Sequence, residues 1–203
     1  MATHGNIRNP ELRGIIKAEG AHCISFMPIA ADADWFKTTV APTAGENKVT
    51  TLAAASMTKA YCPGWPVVPV TVVLDDAGDD WTAVSVAYSG VDQFGDYITD
   101  TATGTNSSGT WTATGVKAFQ AFTSIAITVT GTATSSDSYT IGFAKTYGIG
   151  RRIGASGEII AQLFDGAADV GTVSVANQTI VIAGTPDAAK NWLVFARPEY
   201  YIQ

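Results

Sequence analysis

Apolar and polar side chains alternate with a period of two through the middle of the chain. Across residues 81–88, Thr82, Val84, Val86 and Tyr88 stand against Trp81, Ala83, Ser85 and Ala87. Across 124–130, Ile125, Ile127 and Val129 stand against Ala126, Thr128 and Thr130. Such alternation marks strands with one buried face. A β-branched run at 67–74 and short threonine-rich or apolar runs at 97–103, 111–114 and 138–143 extend the series. Turn segments rich in Asp, Gly, Ser and Thr separate them at 75–80, 92–96, 104–109 and 132–138. Short strands at roughly ten-residue spacing, divided by turns, predict a mainly β fold, a sandwich or barrel with little helix. Further strands are predicted at 158–164, 170–175, 178–183 and 191–196, with a turn at Asp165-Gly166.

Residues 1–66 lack this period. Pro28, Pro42, Pro63 and Pro66 punctuate the segment, and each holds its predecessor away from the helical region. The pattern predicts a short helical turn within 7–19 and about two turns over the Ala-rich 52–60. Apolar residues are nevertheless too frequent here for a solvated linker. The domain reading is an irregular, extended N-terminal arm over 1–66 and a β-sandwich-like domain over 67–203. Two placements of the arm stay open: ordered against neighbouring subunits, or packed on its own domain. For the first, Ile15, Ile16, Ile24, Phe26, Trp35 and Phe36 are the candidate partner-binding residues, because large apolar and aromatic side chains dominate contact energy. Tyr200 and Tyr201, in the aromatic tail, join them.

Charge narrows the partners. Twelve basic and 18 acidic residues give a net charge of −6. A net acidic chain is a poor candidate for duplex DNA, which is bound by neutralising phosphates with basic side chains, so no direct nucleic-acid contact is expected. No apolar run approaches the roughly 20 residues of a membrane-spanning helix, and residues 1–10 carry no apolar signal-like core. The two cysteines, Cys23 and Cys62, are expected to be reduced and buried.

Candidate chemistry is sparse. The only histidines are His4 and His22, so zinc ligands are short. Asp75, Asp76, Asp79 and Asp80 offer carboxylates to calcium, but without the EF-hand spacing, and they read as a solvated turn. The glycine-rich stretch 148–157 is followed by Glu158-Ile159-Ile160-Ala161, a strand pattern, whereas a phosphate loop opens a helix. Arg151 and Arg152 within it are then rim contacts to an acidic partner surface or plain solvated charges. No Gly-x-Ser-x-Gly elbow is present. The expectation is a protein without catalytic residues, metal or cofactor.

Several segments carry a resemblance: Tyr88-Ser89-Gly90-Val91-Asp92-Gln93-Phe94-Gly95-Asp96, Gly115-Val116-Lys117-Ala118-Phe119, the strand 123–129 from Thr123-Ser124-Ile125, and Tyr139-Thr140-Ile141-Gly142-Phe143 before Gly148-Ile149. In this order they resemble a β-rich segment of tailed-bacteriophage structural proteins, among them head decoration or cement proteins. The likeness covers 67–153, under half of the chain, and its motifs are turn and core residues. It implies a non-enzymatic virion component, assembled in the host cytoplasm. Its expected partners are the major capsid protein and further copies of itself, most simply a homotrimer at local three-fold positions. A tail, neck or fibre component that binds or degrades host polysaccharide is the alternative.

Overall fold

A computed structural model describes residues 22–59, 67–169 and 171–197. The protein is mainly β. In chain order the strands are β1 (His22–Phe26), β2 (Asp32–Val40), β3 (Gly45–Glu46), β4 (Val49–Ala53), β5 (Val70–Asp75), β6 (Ala83–Val91), β7 (Tyr97–Thr103), β8 (Thr105–Ser107) and β9 (Thr110–Thr114). They continue as β10 (Ala121–Thr130), β11 (Thr132–Ala133), β12 (Ser138–Phe143), β13 (Thr146–Gly148), β14 (Ile159–Phe164), β15 (Ala167–Ala168), β16 (Thr172–Ser174), β17 (Thr179–Val181) and β18 (Trp192–Ala196). All pairings between these strands are antiparallel.

Two sheets form a sandwich, one ordered β2-β12-β5-β9-β8 and the other β4-β10-β6-β7. Alternation decides which side chains meet between them. Val70, Val72 and Leu74 of β5 lie opposite Phe143, Ile141 and Tyr139 of β12. In the other sheet Leu52, Ile125 and Tyr88 share a row, as do Ile127, Val86 and Ala102. These residues are buried. The layers are stitched directly: Tyr88 Oη donates to the Ala113 carbonyl at 3.1 Å, and Phe36 meets Phe122 edge-on, ring centroids 4.8 Å apart.

The same alternation leaves the outer face of β4-β10-β6-β7 with short uncharged side chains. Its rows are Val49, Thr128, Ser85 and Thr103; Thr51, Ala126, Ala87 and Thr101; Ala53, Ser124, Ser89 and Thr99. A register shift between Phe122 and Ser124 keeps β10 in phase.

A smaller β layer, joining the chain's first described strand to its last segments, is made by the sheets β1-β18-β14-β15 and β13-β17-β16. Phe26 and Trp192 pack edge-on at 4.9 Å, and Tyr147 Oη donates to the Ile29 carbonyl at 2.8 Å. This layer is continuous with the sandwich in one hydrophobic core. Local turn chemistry suits the hairpins. Ser108-Gly109 between β8 and β9, and Asp165-Gly166 between β14 and β15, have positive φ at both residues, matching the right-handed twist of the strands they join.

Four expectations change. The chain does not divide at 66, because β1 pairs with β18, β2 with β12 and β4 with β10: the described part of the arm supplies strands to the sheets. The helix expected at 52–60 begins instead as the end of β4 and a single 3-10 turn, Ala54–Ser56, since pairing with β10 outweighs alanine's helix propensity. The polar loop 104–109 contains β8. Cys23 is exposed on an edge strand. The helical turn within 7–19 and Cys62 lie outside the described residues.

Candidate functional site

The Asp-Gln-Phe-Gly turn after β6 is built by one carboxylate. Asp92 Oδ1 accepts the backbone N–H groups of Phe94 at 2.8 Å and Asp96 at 2.9 Å, and Gly95 takes φ +84°. This local hydrogen bonding, characteristic of Asp in turns, projects Gln93 and Phe94 away from the sheet. Gln93 Nε2 donates to the Ile149 carbonyl after β13. Gly148 passes so close to Gln93, Val67 and Ala118 that a Cβ there would collide with the first two.

The bend after β9 is held by a second carboxylate. Asp100 of β7 points inward and accepts the Val116 and Lys117 amides on Oδ2 at 2.6 and 3.0 Å. Lys117 Nζ in turn donates to the Thr99 carbonyl at 2.9 Å. On the far side Gln178, at φ +54°, clasps Ile153: its Oε1 accepts the Ile153 amide at 2.8 Å and its Nε2 donates to the Ile153 carbonyl at 2.9 Å.

Between these turns lies a cleft of about 230 Å³, bounded by Gln93, Phe94, Asp96, Lys117, Arg152 and Asn177 among others. Arg152 covers the Phe94 ring at 4.6 Å and forms an ion pair with Asp96. Both charged side chains of that pair are more than half exposed, 60% and 58%, so solvent screens the attraction to a fraction of a kcal/mol, about 0.5. The cleft's carboxylates are therefore engaged, Asp92 with turn amides and Asp96 with Arg152. Its chemistry is that of a polar, two-signed notch with one aromatic ring.

The sequence-derived partner residues are not gathered at one place. Phe36 and Phe26 are buried, at 0% and 7% exposure, and Ile24 and Trp35 pack partly buried against the same core. As free anchors Phe26 and Phe36 are corrected, because their apolar surface is already covered by the chain's own strands, whereas Ile24 and Trp35 keep part of theirs open. Arg151 is likewise occupied, donating to the carbonyls of Arg152 and Arg197 and lying 3.6 Å from Glu158. Of the described set, Arg152 alone lines this cleft. Ile15, Ile16, Tyr200 and Tyr201 lie outside the described residues.

The aspartate-rich turn after β5 is more than solvated charge. Asp76 is buried and accepts the Asp80 and Trp81 amides at 3.3 and 2.9 Å. Buried Asp137 does the same for Ala77 and Thr134. Among the described residues no group of three His, Cys, Asp or Glu side chains is placed to hold a metal ion. Sequence reasoning missed Asp100, Asp137 and Gln178, whose bonds to Val116, Ala77 and Ile153 are set by tertiary contact and leave no local signal. No protein-family model, curated protein or solved structure matches the chain.

Proposed function

We propose that the chain is a non-enzymatic structural protein of a virion, a capsid decoration protein that bridges major capsid subunits and stabilises the shell. One observation carries this reading. Three of the four segments on which the phage resemblance rests are separated in sequence yet form one joint. Gln93 of the first segment reaches Ile149 of the last, and Ala118 of the second packs beside Gly148. Gly90 approaches the Ala121 carbonyl and the Phe119 ring so closely that a Cβ has no room. These residues lock turns of the sandwich to the smaller layer. A joint of this kind serves a protein whose task is rigidity and contact area, since close packing resists deformation.

Shells that lack the protein test the proposal. Purified protein should co-sediment with them at saturating stoichiometry and raise their resistance to heat or osmotic shock. Failure to bind, with correctly folded protein, overturns the reading. The cleft favours a second reading, a tail or fibre component that binds host polysaccharide, because it combines an aromatic ring, an amide and charges of both signs. Saturable binding of host polysaccharide, abolished by Phe94→Ala with shell binding absent, would establish that alternative instead.

A further inference from the structure

The cleft between the turns balances its charge but not its hydrogen bonds. Two acidic side chains, Asp92 and Asp96, and two basic ones, Lys117 and Arg152, line it. They sum to zero in a chain that carries −6, so net charge selects neither an anion nor a cation. The polar groups are only partly spent on the fold. Lys117 Nζ, with three N–H groups to give, donates to the Thr99 carbonyl and pairs with no carboxylate among the described residues. Asp92 takes both of its turn amides on Oδ1, and nothing among the described residues donates to its Oδ2. Asn177 donates its backbone amide to Ser174 Oγ at 3.3 Å, while its half-buried side-chain amide has no partner among them. Beside these groups stand the apolar surfaces of Phe94, Ile98, Ala118 and Ala176.

We propose that the cleft takes one uncharged sugar ring, a neutral pyranose unit, held through its hydroxyl groups by Lys117, Asn177 and Asp92. The open groups select that chemistry. An occupant must accept from the ammonium and the amide N–H and donate to the carboxylate and the amide oxygen. A hydroxyl does both, and adjacent hydroxyls on a ring repeat the pattern at close spacing. A carboxylate only accepts, so an acidic sugar or an acidic peptide side chain would serve the donors and be repelled by Asp92. The apolar lining suits the C–H faces of the ring. The volume of about 230 Å³ lies below the roughly 300–1,000 Å³ of drug-sized pockets, which limits the occupant to a single unit.

The site is built before the ligand arrives. Asp92 is fixed by its turn, Lys117 by Thr99, and the residue next to Asn177 by the Gln178 clasp on Ile153. Groups held in place lose little freedom on binding. A few polar contacts in a solvent-facing notch give a Kd of about 1–10 mM for one unit, and repeated units along a polymer raise the avidity. The inference rests on the polysaccharide reading of the cleft and not on the capsid reading.

Ligand-observed NMR of the full chain tests it, with the methyl glycosides of glucose, galactose, mannose and N-acetylglucosamine, with glucuronate and galacturonate, and with whole host polysaccharide. At least one neutral glycoside should saturate the protein, with an affinity unchanged between about 50 and about 500 mM NaCl, a range over which an ionic contact is screened. Asn177→Ala, which removes no hydrogen bond of the described fold, should keep wild-type melting and weaken binding about fivefold. Lys117→Met should weaken it at least about tenfold. Binding of the uronates alone, weakened by salt, would overturn the neutral unit and leave the polysaccharide reading standing. Binding of whole polysaccharide without response to any single sugar would do the same. Silence toward polysaccharide and sugars alike overturns both. Neutral-sugar binding untouched by either variant, or a triglutamate peptide that binds where no neutral sugar does, also overturns the proposal.

Discussion

Replacing Phe36 by alanine separates an arm that grips neighbours from a strand that completes its own domain. The Phe36 ring is wholly buried, edge-on to Phe122 at 4.8 Å and 87°, and within 6.3 Å of Phe143. Truncating a buried Phe costs about 3–5 kcal/mol through lost transfer energy and the cavity left behind. Each aromatic pair adds about 0.5–1.5 kcal/mol, part of which that range already contains, so about 4 kcal/mol is expected. With a urea m-value of about 2.5 kcal/mol/M, suited to a chain this long, the unfolding midpoint should fall by about 1.5 M with m unchanged. The melting temperature should fall by about 8–16 °C. The assay is urea unfolding of the isolated protein, followed by fluorescence and circular dichroism together. Trp35→Ala is the internal comparison, because Trp35 is only partly buried and lies under Lys59 Nζ at 3.4 Å; it should cost less than half as much. A Phe36→Ala midpoint within about 0.4 M of wild type, equivalent to ~1 kcal/mol, would refute the placement of this strand in the chain's own core.

Three further outcomes follow from the same packing. Gly142→Ala should cost at least about 3 kcal/mol, the upper end of overpacking, because its Cβ would strike backbone atoms of Asp32 and Ala33; a thermal melt unchanged within 2–3 °C, about 1 kcal/mol at this size, would contradict it. Asp137→Ala removes the acceptor for Ala77 and Thr134 at one end of the sandwich and should cost about 2–3 kcal/mol, since hydrogen bonds to a charged group are the stronger kind; urea unfolding checks this. Burial raises the Tyr88 phenol above its ordinary value of 10, with the Asp100 charge adding to the effect, and burial raises Tyr147 likewise. The folded protein keeps these protons while the unfolded chain releases them. Stability should be complete below pH 10 and fall as pH rises beyond it, by about 1.4 kcal/mol per pH unit for each tyrosine. Urea midpoints from pH 9 to 11.5 should show that decline, and Tyr88→Phe with Tyr147→Phe should flatten it.

The strands of the sandwich were legible because alternation is a local property. A side chain two residues along returns to the same face, so Val84, Val86 and Tyr88, or Ile125, Ile127 and Val129, declare their buried side without reference to any partner. The Asp165-Gly166 turn was legible for a similar reason: both residue types tolerate positive φ. Pairing is a different matter. That β4 lies beside β10, β2 beside β12 and β1 beside β18 depends on loop closure and on which apolar faces fit together, and no short window of sequence contains that information. Irregular segments such as 22–59 therefore read as an arm, although Phe36 completes the core. The cleft has the same origin. Asp92 announces its turn locally, whereas the reach of Gln93 to Ile149 and the clasp of Gln178 on Ile153 exist only once distant strands are docked. Sequence alone also contained every residue of the uncharged face, but each Ala, Ser and Thr there is unremarkable by itself. Register across four strands is what gathers them into one surface, because hydrogen-bonded ladders, and not chain order, decide which outward side chains are neighbours.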